Sequence, residues 1–197
     1  MALLLGDTVP NFTQASTDGD IDLYDYLGDG WGILFSHPAD YTPVCTTELG
    51  AVAGLKDQFD KRNTKVIGLS VDELSSHAGW VKDIEETQNV KLNFPILADS
   101  DQKVANLYSM IQSEDNKMTV RSVFIIDPAK KLRLTLTYPA STGRNFAEIL
   151  RVLDSLQLTD GYKVATPANW RDGDDVIVLP TVSNEEAEKL FPKGYEA

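Results

Sequence analysis

Short apolar runs alternate with helix-like segments along most of this chain, and this alternation constrains the fold more than any other feature. The run at 31–36 is short and continuous, which is typical of a strand buried on both faces. Similar runs lie at 65–71, 94–98, 121–127 and 132–138. Apolar residues at helical spacing lie at 49–59, at 80–84 and at 145–157. Strands that alternate with helices predict right-handed crossovers and a mostly parallel sheet covered on both faces.

The last two apolar runs add an antiparallel element. Residues 128–131 have the composition of a turn, so the runs on either side of them are predicted to form a hairpin. The second of these runs, 132–138, alternates between apolar and polar residues, as an edge strand does. The predicted fold class is therefore α/β, with a mixed central sheet flanked by helices.

The chain has 197 residues, which suits one main domain with a small addition. After about residue 161 the sequence becomes loop-rich and acidic, with only a short apolar run at 176–179. We therefore predict a main domain over 1–160 and a C-terminal extension over 161–197. The extension has too few apolar residues to fold alone.

Charge and cysteine usage exclude several classes of function. The net charge of −12 argues against nucleic acid or an anionic membrane surface as a partner, because both require a basic face. No apolar stretch approaches the roughly 20 residues of a membrane-spanning helix, and the apolar run at the start is too short for a signal peptide. A secreted protein of this size usually has paired cysteines, whereas this chain has one. A reducing, cytoplasmic compartment is the expectation.

The single cysteine, Cys45, ends the segment Asp-Tyr-Thr-Pro-Val-Cys. Pro43 suits the first position of a helix, and Thr42 before it suits the N-cap, with a hydroxyl able to accept from first-turn amides. Cys45 then falls at the third helical position, where unpaired amides and the helix dipole favour thiolate over thiol. On these grounds a reactive thiol and an inert buried cysteine both remain open.

The residues around Cys45 resemble a known family. The stretch from Pro38 to Cys45 matches the Pro-x-x-x-Thr-x-x-Cys signature of the peroxiredoxins, and the wider segment 34–49 is similar to their one-cysteine, peroxiredoxin-6-like subfamily. The similarity continues through 138–146, 148–153, 164–167 and 190–194, so it covers essentially the whole chain. The resemblance implies a thioredoxin-like fold and a thiol-dependent peroxidase.

The resemblance assigns roles to four residues. Cys45 is expected to be the peroxidatic thiolate that becomes a sulfenic acid, and Thr42 to position thiolate and peroxide. Pro38 is expected to shield the sulfur from water. Arg121 is expected to stabilise the thiolate and the charge that develops on the leaving oxygen, although a surface arginine at a strand end is the alternative.

Three further residues have weaker assignments. His37 is expected either to border the peroxide pocket or to be a structural residue at a strand end. Arg144 resembles a second family arginine that reaches toward the site, across a dimer in one arrangement, with a plain salt bridge as the alternative. His77 is expected to be solvated. Because the two histidines and the cysteine lie far apart in sequence, no metal site is predicted.

The resemblance also implies how the enzyme turns over. Hydrogen peroxide and organic hydroperoxides are the expected substrates, in antioxidant defence and redox homeostasis. No cofactor is expected, and the sulfenic acid is recycled by an external thiol of the glutathione or thioredoxin type. A homodimer is expected, formed edge to edge or with the extension crossing to its partner.

Two departures from relatives qualify this picture. Some relatives have a phospholipase A2 activity that uses a serine in a Gly-x-Ser-x-Gly-like stretch. Gly30 stands at the serine position here and Tyr24 near the position of the partner histidine, so phospholipase activity is not expected. The family usually continues into a further C-terminal strand, whereas this sequence ends at Ala197, and both a short gene and a trimmed chain are open.

Two other functions compete with the peroxidase. A redox sensor or holdase-like chaperone on the same fold would use oxidation of Cys45 as a signal. The presence of Thr42 and Arg121 favours the enzyme, because a sensor does not need the full peroxide-reducing set. A cysteine hydrolase with His37 as base is disfavoured, because no oxyanion glycine loop or third orienting residue is evident.

Overall fold

The computed structural model describes residues 3–111, 116–192 and 194. The chain divides into two compact units, Met1–Phe146 and Ala147–Ala197. The boundary predicted from composition lies later, between 160 and 161. The long helix that begins at Phe146 groups instead with the residues after it.

In the first unit, the described strands form one sheet. They are β1 (Thr13–Ser16), β2 (Gly19–Asp22), β3 (Trp31–Ser36), β4 (Thr64–Ser70), β5 (Ile96–Ala98), β6 (Arg121–Ile126) and β7 (Leu132–Tyr138). The helices of this unit are α1 (Leu23–Leu27), α2 (Pro43–Gly54), α3 (Lys56–Asp60), α4 (Leu74–Gln88) and α5 (Lys103–Leu107). The second unit contains α6 (Phe146–Gly161) from its second residue onward, a small pair of strands, β8 (Val164–Ala165) and β9 (Ile177–Val178), and α7 (Asn184–Leu190).

The strand order of the sheet is β2-β1-β5-β4-β3-β6-β7. Only the pairs β3–β4 and β4–β5 are parallel among the described strands, and the other neighbours are antiparallel. The predicted α/β fold with a mixed sheet and a β6–β7 hairpin is confirmed. The expectation of a mostly parallel sheet is wrong, because β6 returns antiparallel to β3 and because the hairpin of β1 and β2 was missed.

The missed hairpin is short and polar. Its strands have the sequences Thr-Gln-Ala-Ser and Gly-Asp-Ile-Asp, and most of their side chains are partly or fully exposed. Such strands carry no apolar run, so periodicity does not reveal them. By contrast, every residue of β3 and of β6 is buried, which explains their unbroken apolar sequences.

The predicted helical face at 49–59 is divided between two helices. The first, α2, ends at Gly54, and α3 begins at Lys56 after Leu55. Glycine costs about 1 kcal/mol relative to alanine inside a helix, which favours a break at this position. The apolar spacing still holds, since Leu49, Val52 and Phe59 are all buried.

The connection from β3 to α2 lies where the two central parallel strands end. His37 follows directly after β3, and its backbone N–H donates to the carbonyl of Leu69 in β4 at 2.9 Å. Residues 37–42 then lead into the first turn of α2. In open α/β sheets, ligands bind at the carboxyl ends of parallel strands, so this loop is the expected place for a site. None of the described helices is long and apolar enough to cross a membrane.

Candidate active site

The first turn of α2 places Cys45 where the sequence predicted it. Thr42 is the N-cap with extended backbone (φ −92°, ψ 143°), Pro43 opens the helix and Cys45 takes the third position. The side chain of Thr42 does not cap the helix, contrary to expectation. Its hydroxyl donates instead to the carbonyl of Ala39 at 3.0 Å, which ties the loop to the start of the helix.

The sulfur of Cys45 lies beside a buried arginine. Cys45 has no exposed surface, and Arg121 at the start of β6 is 2% exposed. The Nη1 atom of Arg121 donates to Sγ of Cys45 at 3.2 Å. A permanent cation in this position favours the thiolate over the thiol. The alternative interpretation of Arg121 as a surface arginine is therefore wrong.

The guanidinium of Arg121 is held from two further directions. Its Nε and Nη2 atoms both donate to the carbonyl of Ala140, at 3.0 and 2.7 Å. Its Nη1 atom also donates to Oε2 of Glu48 at 2.6 Å. The planar fork of an arginine is suited to such fixed, multiple contacts, which lysine cannot reproduce. Arg121 therefore presents its charge to Cys45 in one orientation.

Glu48 was not among the site residues predicted from the sequence. It lies on α2, three residues after Cys45, and its side chain is 3% exposed. Its carboxylate binds Arg144 as well as Arg121, accepting from Nε of Arg144 at 2.9 Å and from Nη2 at 2.7 Å. Burial raises the pKa of Glu48, but the hydrogen bonds and charges of Arg144 and Arg121 outweigh it and hold that pKa below its ordinary value.

Arg144 joins the cluster through Glu48. Its backbone N–H donates to Oε1 of Glu48 at 2.7 Å, and its Nη1 atom donates to the carbonyls of Ser36 and Ser122. The guanidinium lies over the ring of Phe35 at 4.9 Å. Burial lowers the pKa of Arg144, against the opposing effect of Glu48. Two alternatives were predicted for Arg144, a salt bridge and a position near the site. Both hold, because its salt bridge with Glu48 joins it to Arg121 beside Cys45 within one chain.

The charges around the sulfur do not balance while Cys45 is a thiol. Arg121 and Arg144 supply two positive charges, and Glu48 supplies one negative charge. In a buried cluster an uncompensated charge is costly, so an anion beside Arg121 brings the cluster to neutrality. Geometry and charge therefore both favour negative charge at this place, where the reaction needs it.

His37 is buried at the end of β3 and belongs to a second cluster. Its Nε2 atom lies 2.9 Å from Oδ1 of Asp40, and its ring packs on Trp80 with centroids 4.9 Å apart. Its Nδ1 atom is buried without a hydrogen-bond partner. Burial lowers the pKa of His37. The ring makes no hydrogen bond to Cys45 in the described structure.

His77 lies in the same cluster, and the prediction of a solvated residue is wrong. It is fully buried, with Nδ1 2.7 Å from Oδ2 of Asp40 and Nε2 3.1 Å from the carbonyl of Leu97. The sequence contained a signal for this, because His77 shares a helical face with Trp80 and Ile84 of α4, which are also buried.

The fold thus brings together residues that are distant in sequence. The ligand-type atoms of His37, Asp40 and His77 lie within 4.8 Å of one another, although no metal site was predicted from the sequence. Hydrogen bonds account for these contacts. Pro38, the remaining predicted residue, is buried in the loop between His37 and Asp40.

Comparisons with known proteins agree with this geometry. Residues 5–135 match the AhpC/TSA family, and residues 155–194 match the C-terminal domain of 1-Cys peroxiredoxin. This chain belongs to the one-cysteine peroxiredoxins. A 1-Cys peroxiredoxin of Dictyostelium discoideum is 62% identical over 98% of this chain and 80% of its own length. Peroxiredoxin-6 of Homo sapiens is 55% identical over 98% of this chain and 90% of its own.

Solved peroxiredoxin structures confirm the thioredoxin-like fold. Peroxiredoxin 6 of Arenicola marina, as a serine variant, superposes with a TM-score of 0.92 at 48% identity, covering 97% of this chain and 90% of that one. The yeast mitochondrial 1-Cys peroxiredoxin superposes with a TM-score of 0.91 at 53% identity. That protein is described with a thiol-resolving mechanism through the glutathione and thioredoxin systems. That match covers 96% of this chain and 92% of the yeast one.

Proposed function

We propose that this peroxiredoxin reduces hydrogen peroxide and organic hydroperoxides with Cys45 as its nucleophile. As a member of its family, the chain is a thiol-dependent peroxidase. The observation that supports Cys45 is the 3.2 Å contact between its sulfur and Nη1 of Arg121, at the N-terminus of α2. Burial of both partners keeps this contact in a low-dielectric setting, where it is strong.

The chemical step exchanges one bond for another. The thiolate of Cys45 attacks the hydroxyl oxygen of the peroxide, so that an S–O bond forms and the O–O bond breaks. The electron pair of the broken bond leaves with the other oxygen, which takes a proton from water and departs as water or an alcohol. Sulfur is oxidised to a sulfenic acid and the peroxide is reduced.

Neighbouring groups stabilise the charge that moves from sulfur to the leaving oxygen. Arg121 is fixed on Ala140 and Glu48 and so needs no reorganisation during the reaction. The first-turn amides of α2 add donors on the same side. The hydroxyl of Thr42 donates to Ala39, so its oxygen retains capacity to accept from the O–H of a bound peroxide. Pro38 is proposed to keep water from the sulfur.

Recycling requires a second molecule. The chain has one cysteine, so a sulfenic acid at Cys45 finds no second thiol in its own chain. We propose that an external thiol of the glutathione or thioredoxin type forms a mixed disulfide with Cys45, with loss of water, and that a second thiol releases it. No prosthetic group takes part in these steps. Because Cys45 has no exposed surface, the first turn of α2 must open before a bulky thiol can reach it.

We propose that this chain lacks phospholipase activity. Gly30 stands at the position of the nucleophilic serine of some relatives. A Cβ atom at Gly30 would lie 2.9 Å from the carbonyl oxygen of Asn63 and 3.2 Å from that of Leu27, so the position has no room for a side chain. Tyr24, near the position of the partner histidine, donates its hydroxyl to the carbonyl of Val9.

A homodimer in the cytoplasm is also part of this proposal. Strand β7 is at one edge of the sheet, and from Leu134 to Tyr138 it alternates between half-buried and exposed residues, which suits pairing with a second copy. The cytoplasmic location is supported by the single unpaired cysteine. Sedimentation at micromolar concentration tests the dimer, and a monomer alone would count against it.

The rate of oxidation separates the enzyme from the alternative functions. Stopped-flow measurement of Cys45 oxidation is expected to show a fast second-order reaction that Cys45→Ser abolishes. A slow reaction, similar to that of a free thiol, would favour a sensor or a chaperone. The donor is identified by comparing turnover with glutathione, thioredoxin and ascorbate.

A further inference from the structure

The buried cluster of His37, Asp40 and His77 adjoins the loop that leads to Cys45, yet the peroxidase step described above does not use it. Asp40 lies in that loop, two residues before Thr42, and is 8% exposed. Its carboxylate contacts both histidine rings and also accepts from the hydroxyl of Ser76 at 2.8 Å. Its backbone N–H donates to the carboxylate of Asp72 at 2.9 Å.

The partners of His77 determine where its protons are. Nε2 of His77 faces the carbonyl oxygen of Leu97, which can only accept, so Nε2 carries a proton. Nδ1 faces Oδ2 of Asp40 at 2.7 Å, and that oxygen already accepts from Ser76. A carboxylate also only accepts, so Nδ1 carries a proton as well. His77 is therefore an imidazolium with a carboxylate as its counter-ion.

The protons of His37 follow from the same reasoning. Its Nε2 atom faces Oδ1 of Asp40 and donates to it, whereas its Nδ1 atom is buried with no partner. A second proton on Nδ1 would be a buried donor without an acceptor, at a cost that the neutral ring avoids. His37 is therefore the neutral tautomer with its proton on Nε2.

We infer that His77 is a positioning residue of the peroxidase site: its charge neutralises Asp40, and through Asp40 it fixes both the loop before Cys45 and the tautomer of His37. This inference rests on the proposed function, since the loop it fixes contains Pro38 and Thr42. His77 on α4 therefore acts on the site through its contact with Asp40 in the loop before Cys45, not through a contact with the sulfur.

The electrostatic setting agrees with this assignment. Burial raises the pKa of Asp40, but the hydrogen bonds and charges of the two histidines outweigh it and hold the pKa well below its ordinary value. Burial lowers the pKa of His37, Asp40 opposes this, and the charges of His77 and Arg144 lower it further. Loss of the charge on His77 leaves Asp40 without a counter-ion, and His37 is then its remaining imidazole partner. A proton on Nδ1 of His37 would restore neutrality, against the cost of a buried donor without an acceptor.

The protonation states can be read directly, because this chain contains two histidines. Nitrogen NMR of the imidazoles at neutral pH is expected to show one ring with protons on both nitrogens, His77, and one neutral ring with a bare Nδ1, His37. The same spectrum is expected from Cys45→Ser, so the result does not depend on peroxidase activity. A neutral His77, or a ring resonance that moves when Zn²⁺ is added, would overturn the inference.

A charge-removing variant then tests the link to the site. In His77→Gln an amide can still donate to Asp40 but carries no charge, so His37 is expected to become doubly protonated at neutral pH. The rate of Cys45 oxidation is expected to fall about tenfold or more as the loop shifts, and its pH profile to gain an inflection where His37 titrates. Ser76→Ala, which removes a neutral donor to the same oxygen, is the matched control and should leave both rings unchanged.

A purely structural role for His77 gives a different result. It would lower the stability of His77→Gln while leaving the tautomer of His37 and the shape of the pH profile as in the wild type. If the variant does not fold, the wild-type spectrum alone still decides the protonation of both rings. If Cys45→Ser retains peroxidase activity while the spectrum is as expected, the proposed function fails and the assignment of His77 as an imidazolium stands.

Discussion

Nη1 of Arg121 contacts Sγ of Cys45 at 3.2 Å and Oε2 of Glu48 at 2.6 Å, so one nitrogen joins the thiol to a buried carboxylate. The carboxylate fixes the guanidinium, and it also offsets part of the positive charge. Arg144 restores that charge from the other side of Glu48. The sulfur is therefore next to a cluster whose net charge is positive and whose geometry is fixed.

Replacing Arg121 by lysine tests the geometry of this cluster. Lysine keeps the charge, but its ammonium cannot bind Cys45, Glu48 and Ala140 at once. The second-order rate of Cys45 oxidation by hydrogen peroxide is expected to fall by about 10²- to 10³-fold, the usual loss when one oriented donor is removed. The measurement is stopped-flow fluorescence, with Arg133→Lys in β7 as the control. Equal rates for wild type and Arg121→Lys would show that charge alone suffices.

Glu48 predicts a specific dependence of stability on pH. Its pKa is below the ordinary value in the folded state, so its contribution is present above the unfolded pKa of about 4.3 and is lost as pH falls through the folded value. Glu48→Gln leaves two buried arginines without an anion and is expected to lower the free energy of unfolding by about 3 kcal/mol at neutral pH. The difference in unfolding free energy between wild type and variant should become smaller below about pH 4.

Urea unfolding at a series of pH values measures this gap. Asp60→Asn is the control, because the side chain of Asp60 is 54% exposed and its pair with Lys56 contributes little. A difference in unfolding free energy between wild type and Glu48→Gln that stays constant down to acid pH would mean that folding does not lower the pKa of Glu48.

Introducing the missing serine should not create a hydrolase. Gly30→Ser places a Cβ atom 2.9 Å from the carbonyl oxygen of Asn63, so the backbone must shift. We expect a loss of about 1–3 kcal/mol of stability, typical of overpacking, and no phospholipid hydrolysis above the buffer rate. Gly54→Ser, where a Cβ atom meets nothing within 4 Å, is the control for stability. Serine-inhibitor-sensitive hydrolysis by either the wild type or Gly30→Ser would contradict the proposal.

Turnover should depend on an added thiol. With one cysteine in the chain, the sulfenic acid persists after the first reaction, and excess peroxide should convert it to the sulfinic acid. Peroxide consumption followed over time is expected to show a fast phase of about one equivalent per chain, then a slow phase of about one more as the sulfinic acid forms. A thiol added before the slow phase should restore turnover, whereas one added after it should not. Sustained consumption without any thiol would reveal another source of electrons.

The parts of the fold that were predicted are those with a strong local pattern. The strand at 31–36 and the edge strand at 132–138 match β3 and β7, and Thr42, Pro43 and Cys45 occupy their predicted helix positions. These features depend on runs of apolar residues and on helix-start residues, which act over a few positions. The polar hairpin of β1 and β2 lacks such a pattern, and so it was missed.

The site was predicted less completely, for a related reason. Glu48 and Asp40 bind partners as far along the chain as Arg144 and His77, and local spacing does not reveal such pairs. The sequence did contain one signal for these buried residues, which is a charged or polar residue on a helix face that is otherwise apolar. Glu48 lies beside Leu49 and Val52 on α2, and His77 lies beside Trp80 on α4. Burial of such residues requires partners, because an unpaired buried charge is costly.

Cys45 is expected to be the residue that reacts with peroxide. The most direct measurement mixes reduced protein with a stoichiometric amount of hydrogen peroxide in the absence of thiol, traps sulfenic acid chemically, and locates it by mass spectrometry, with folded Cys45→Ser in parallel. We expect about one peroxide consumed per chain, a trapped sulfenic acid on Cys45, and no consumption by the serine variant. Peroxide consumption by Cys45→Ser, or oxidation found only at methionine, would contradict it.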